Sequence, residues 1–197
     1  MNKNLFAILL ITLSGQLSAQ NIDSLQSSFG QNKIIISEYR LPILIALSHY
    51  PELINIKIIF KSVNIESTGK TTIAFPSILT KSNRKYIIYI NDNKEQTGFL
   101  FKDLSLNEQI AVIGHELAHV LDFSKRSFIG MITWGSNYLN HEKRIKIERE
   151  TDQATITHGL KNELYEWSNF ALTSPLTNPQ YKKMRFTYYL HPEEISK

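Results

Sequence analysis

Asn107–Phe123, NEQIAVIGHELAHVLDF, constrains this chain more than any other stretch. Ile110, Val112, Ile113, Leu117, Ala118, Val120 and Leu121 recur there at helical rather than strand spacing. Ser105-Leu-Asn-Glu108 opens the stretch as a capping box, in which the Ser105 hydroxyl accepts from the Glu108 amide and the Glu108 carboxylate reaches back. Within the helix, His115 and His119 are four residues apart. They lie on nearly the same face, one turn from each other, so both imidazoles can reach one ion. Glu116 projects to a neighbouring azimuth, where it can hold a water at that ion without ligating it. This His-Glu-x-x-His arrangement supplies two zinc ligands and a general base.

The rest of the composition narrows the metal chemistry. The chain has no cysteine, hence no disulfide, no thiolate ligand, no thiol nucleophile and no lipid-anchor cysteine. A metal must be held by His and carboxylates, which favours an open catalytic site over a closed structural one. With 197 residues, 42% hydrophobic and 20% charged, the chain has the make-up of one globular domain, or of one domain with two lobes. Its formal charge of +4 falls by one without residues 1–19, where Lys3 is the only charged side chain. The remaining cations are scattered, which argues against a nucleic-acid partner.

Residues 1–20, MNKNLFAILLITLSGQLSAQ, have a lysine, an apolar run from Leu5 to Leu13 and small residues before Ala19. That pattern predicts a signal peptide cut near Ala19 or Gln20, and export to the periplasm or the medium. No later segment reaches spanning length, so no transmembrane segment is expected after signal removal. Ser37–Pro51 predicts a helix stopped by Pro51, with His49 at its surface end. Ile56–Val63, Thr71–Ser77 and Lys85–Asn91 predict strands. Glu66–Lys70 supplies a turn for antiparallel pairing of the first two, and Pro76 puts the end of the second outside the ladder. Asp92–Thr97 reads as a polar loop. Phe128–Leu139 reads as a short helix or a hydrophobic loop, His141–Glu163 as a charged helix, and Leu164–Lys197 as aromatic helix broken at Ser174–Pro179.

A catalytic zinc takes three protein ligands, so one is missing from the first helix. Glu148 and Asp152, four apart on the charged helix, point the same way; one could ligate while the other accepts the free N–H of a ligating histidine. Glu150 points elsewhere. His141 and Glu142 compete but lack a partner one turn on. Asp122, at the end of the first helix, reads as a surface residue.

LSLNEQIAVIGHELAHVLDF followed by ERETDQA resembles the gluzincin zinc metallopeptidases, closest to the CAAX-type and heat-shock membrane proteases and the soluble minimal gluzincins. Glu108, Val112, His115, Glu116, His119, Glu148 and Asp152 match that pattern, over roughly residues 86–160. The resemblance implies His115, His119 and Glu148 on Zn2+, Glu116 as base and proton shuttle, and Asp152 behind a ligand, most plausibly His115. It also implies that the strand before the active-site helix, here Lys85–Asn91, pairs with an extended peptide. The transmembrane helices of the membrane members have no counterpart. The family stabilises the oxyanion with a cationic or phenolic group from its C-terminal lobe, for which this chain offers His191, Tyr188, Tyr189, His158 and Tyr165. His191-Pro192 resembles a His-Pro segment of the family, which makes His191 the candidate.

The expected fold is therefore α+β and zincin-like, residues 21–197 forming one domain. An N-terminal lobe of about residues 33–123 would hold a small, mainly antiparallel sheet and the active-site helix, and a helical lobe of about 124–197 would carry Glu148. The expected function is exported zinc metallopeptidase acting on extended peptides. A zinc-stabilised envelope binding protein and a zinc amidase acting on cell-wall peptide are the alternatives.

Overall fold

The structure, a computed structural model, describes residues 21–197. The signal-peptide expectation for residues 1–20 lies outside the described residues. In chain order the elements are α1 (21–29), β1 (Lys33–Ile34), α2 (Arg40–Ser48), β2 (Lys57–Val63), β3 (Gly69–Ile73), β4 (Lys85–Asn91) and the single turn α3 (Lys94–Thr97). Then follow α4 (Leu106–Lys125), α5 (Phe128–Leu139), α6 (His141–Thr157), α7 (Lys161–Thr173), α8 (Pro179–Tyr188) and α9 (Pro192–Ile195). The architecture is mixed α+β, with one small four-stranded sheet. Among the described residues no helix is long and apolar enough to cross a membrane.

The sheet order is β1-β2-β4-β3. β2 pairs with β4 in parallel along its whole length, β1 with β2 in parallel, and only β3 runs antiparallel, against β4. The expected β2–β3 hairpin and mainly antiparallel sheet are thus incorrect: β4 lies between the two strands. Burial explains the choice. β4 hides Tyr86, Ile88 and Ile90, and β2 hides Ile58 and Phe60, whereas the polar β3 (GKTTI) buries no side chain fully and takes the edge. Asn91 pins the crossing of the chain over the end of β4. Its Oδ1 accepts from the amides of Ile65 and Asn93, and its own amide donates to Thr68 O at 3.1 Å. Because β4 has a partner on each side, it has no edge to offer a peptide. Among the described residues the edges of the sheet are the two-residue β1 and the longer β3.

Capping box Ser105–Glu108 starts α4: Glu108 N donates to Ser105 Oγ at 3.2 Å and Ser105 N to Glu108 Oε2 at 2.7 Å. Every residue from Ile110 to Leu121 is buried. α2 and the sheet cover one side of α4, while α6 and α7 cover the other. Tyr50, after α2, donates to Gly114 O at 2.7 Å, one residue before His115. Gly114 itself lets the turn between α6 and α7 close in, since a β-carbon there would meet Leu160 Cδ1 at 2.4 Å.

The charged helix expected over His141–Glu163 is two helices. α6 ends at Thr157, because Gly159 takes a positive φ of 84° that L side chains rarely adopt, and α7 starts at Lys161. Phe128–Leu139 is helical, capped by Ser127 Oγ, which accepts from Gly130 N.

Candidate metal centre

His115, Glu116 and His119 enter the interior because α4 is buried from Ile110 to Leu121, and each is 6–7% exposed. Polar groups withdrawn from water are costly unless they find partners, roughly 2–7 kcal/mol each. Their partners come from α6. This helix is polar nearly throughout, and the face it buries is Glu148, Thr151, Asp152 and Thr155. That spacing is one helical stripe, and it contains no apolar side chain.

Three donor atoms converge. His115 Nε2 lies 3.2 Å from Glu148 Oε2, and His119 Nε2 lies 3.4 Å from the same oxygen. Two atoms each bonded to a tetrahedral zinc at 2.0–2.1 Å sit roughly 3.3 Å apart. The cluster is thus spaced to hold one metal ion, and it joins both histidines with the third candidate ligand. Both His115 nitrogens are engaged: Nδ1 faces Asp152 Oδ1 at 2.8 Å, which fixes the ring so that Nε2 points at the cluster. Asp152 Oδ2 accepts from Leu190 N at 2.9 Å, so one fully buried carboxylate ties the histidine to the segment after α8. Behind His119, Thr151 Oγ1 is 3.5 Å from Nδ1, the outer limit of a hydrogen bond. Tyr138 donates to Glu148 Oε1, leaving Oε2 to the histidines.

The electrostatics favour a cation here. Burial opposes a charged His115, but the Asp152 and Glu148 carboxylates against its two nitrogens more than reverse this and push its pKa up to about 10. Burial likewise opposes ionised Glu148, and hydrogen bonds from His115 and His119 outweigh it, holding the carboxyl well below the usual range. Burial raises the pKa of Tyr138, and the Glu148 charge raises it further. Burial raises Tyr189 well above the ordinary phenol value.

Glu116 stands apart from the ligand atoms, beside β3. Thr71 Oγ1 donates to its Oε2 at 2.7 Å and lies 3.0 Å from its backbone oxygen. Gly69 permits that approach: a β-carbon there would be 2.8 Å from Glu116 Oε1. A cleft of about 800 Å³ opens over these groups, walled by Lys70, Thr71 and Thr72 of β3, Trp134 and Tyr138 of α5, Arg144 of α6, and Tyr189.

His115, Glu116, His119, Glu148 and Asp152 therefore come together. His191 does not. It caps α9, its Nε2 sits 2.8 Å from Phe186 O, and its ring stacks on Phe186. His158 stacks on Tyr50, Tyr165 is exposed and Tyr188 contacts His141. Of the candidates from the C-terminal part, Tyr189 alone lines the cleft, its ring centroid 5.5 Å from that of His115. Glu150 is exposed and pairs with Lys146, and Asp122 pairs with Arg126. Gly69, Thr71, Tyr138 and Arg144 carried no signal in the sequence, because what selects them is adjacency to Glu116 or Glu148 across elements. Comparison with protein-family models, with curated proteins and with solved structures finds no match to this chain.

Proposed function

We propose that this chain is an exported zinc metallopeptidase of the gluzincin kind, on a zincin-like scaffold. The observation that carries the reading is the position of Glu116: a carboxylate that lines the open cleft beside three converged donor atoms and is not one of them. His115, His119 and Glu148 would hold the ion, and Asp152 would keep His115 in the tautomer that presents Nε2. A bound zinc supplies a Lewis acid that polarises a carbonyl and makes water acidic enough to react near neutral pH. Glu116 would accept a proton from the attacking water and deliver it to the departing amine. Thr71 holds Glu116 through its Oε2, which fixes the carboxylate in the wall of the cleft. Tyr189 and Arg144, both in the cleft wall, offer donors for negative charge that develops on a substrate.

The free edge of β3 supports an extended peptide as substrate, since its unpaired amides and carbonyls can continue the sheet along the cleft. Peptide pairing is thus assigned to β3, one strand over from the Lys85–Asn91 strand expected in the sequence.

The test couples metal content to turnover. The chain should bind one zinc, and a mixed peptide library should be cleaved. Glu116→Gln should keep the metal and lower kcat/KM by about 10²–10⁴. Full activity in Glu116→Gln, or no cleavage by zinc-loaded wild type across the library, would overturn the reading.

A further inference from the structure

Arg185, on α8, is 5% exposed, yet among the described residues it has no ion-pair partner, and its Nη2 is buried without an acceptor. A second buried arginine, Arg84, shows what a structural one looks like. It is 4% exposed and, although its own Nη2 is also buried without an acceptor, it donates from Nε and Nη1 to the carbonyls of Ile78, Phe123 and Arg126. Arg185 instead lies against two rings, with its Cζ 3.7 Å from the centroid of Tyr189 and 5.3 Å from that of Trp167. Ring faces recover only part of the cost of withdrawing a guanidinium from water; the remainder calls for a negative partner.

The guanidinium lines a recess that shares Ser67, Gly69, His115, Glu116 and Tyr189 with the cleft wall. Its volume is about 20 Å³, room for one water-sized occupant. Glu116 also borders the recess, but it gives Oε2 to Thr71 and forms no ion pair with Arg185. Opposite, the Tyr181 and Thr68 hydroxyls bond each other, so neither supplies charge to Arg185.

We propose that this recess is an anion site built on Arg185, which takes one compact negative group behind Glu116. Two sources share that chemistry: a halide-sized ion from solution, or one carboxylate of a ligand lying in the cleft. Binding there requires no turnover, so the proposal stands or falls apart from the peptidase reading.

Trp167 is the built-in reporter, since it is 2% exposed and flanks the guanidinium. In the full chain carrying Trp134→Phe, Trp167 is the one tryptophan left. Metal-free protein is titrated with sodium bromide, and separately with sodium acetate, gluconate holding ionic strength constant. A saturable change in Trp167 emission is expected, at least twofold with bromide, and absent in Arg185→Met. Chloride in place of gluconate should also raise the wild-type melting temperature by roughly 2–6 °C, a measurement that decides the matter even if Arg185→Met does not fold. Saturation by bromide assigns a free ion, and by acetate alone a ligand carboxylate. No saturation with either probe, or saturation that survives in Arg185→Met, overturns the proposal.

Discussion

α4 and α6 meet at the same cluster, but they reach it in opposite ways. α4 is buried from Ile110 to Leu121, and its three polar site residues are exceptions in an apolar helix. α6 buries four side chains, all polar, and leaves Ile145, Ile147, Ala154 and Ile156 only partly covered. Apolar burial therefore places α4, whereas α6 is held on its inner face by Glu148 and Asp152 against His115 and His119. A helix whose hidden stripe is polar is hidden for chemistry rather than for core packing. Removing side chains on either helix tests that contrast.

The largest effect belongs to the ligands. His119→Ala and Glu148→Ala should each take bound metal, measured by elemental analysis after dialysis, from one per chain to near none. Retention of metal by Glu148→Ala would remove α6 from the centre and break the comparison. Gly69→Ala comes next. Its β-carbon displaces Glu116 without touching a ligand, so kcat/KM should fall by up to roughly 10²-fold at unchanged metal content. Asp152→Ala should weaken zinc binding by about 10–100-fold in a competition titration. In the metal-free protein it should also cost about 1–3 kcal/mol in denaturant melts, because the Leu190 amide loses its acceptor.

A smaller, graded effect is set by pH. His115 must lose a proton to ligate, and its pKa is held up to about 10, so apparent zinc affinity should rise about tenfold per unit between pH 6 and 8. The same shift gives the metal-free fold its own slope. A raised histidine pKa contributes stability below the ordinary 6.5 that is lost as pH climbs through about 10, so chelator-treated protein should melt earlier at pH 9.5 than at 6.5. Glu150→Gln, on the exposed side of α6, should change stability by no more than about 0.5 kcal/mol and leave metal binding alone. A large effect there would mean that the polar stripe is wider than Glu148–Thr155.

Most of the α4 half was legible in advance. The capping box, the helical period and the two histidines are local facts, decided within a turn or two of chain, and the structure keeps them to the residue. Glu148 and Asp152 were legible as a pair because their four-residue spacing is local too. What failed were statements about neighbours. The β2–β3 hairpin was read from a turn between adjacent strands, yet the more apolar β4 took the centre and Asn91 held the crossing. One miss is local instead: the positive φ of Gly159 ends the helix expected to run from His141 to Glu163. His191 is the candidate only through the resemblance of His191-Pro192 to a family segment, and its ring turns to Phe186 instead.

By itself, then, the sequence determined an α+β chain with a capped, apolar helix bearing HELAH and a second, polar helix bearing Glu148 and Asp152, since short-range spacing is enough to specify those. Only the tertiary structure decided that Oε2 of Glu148 meets both imidazoles, that Gly69 and Thr71 steady Glu116 from an edge strand, and that Arg185 is buried without a carboxylate. Each of these is a contact between residues at least 29 positions apart, or, among the described residues, the lack of one. Such contacts follow from how helices and sheet share one core, which no local pattern encodes.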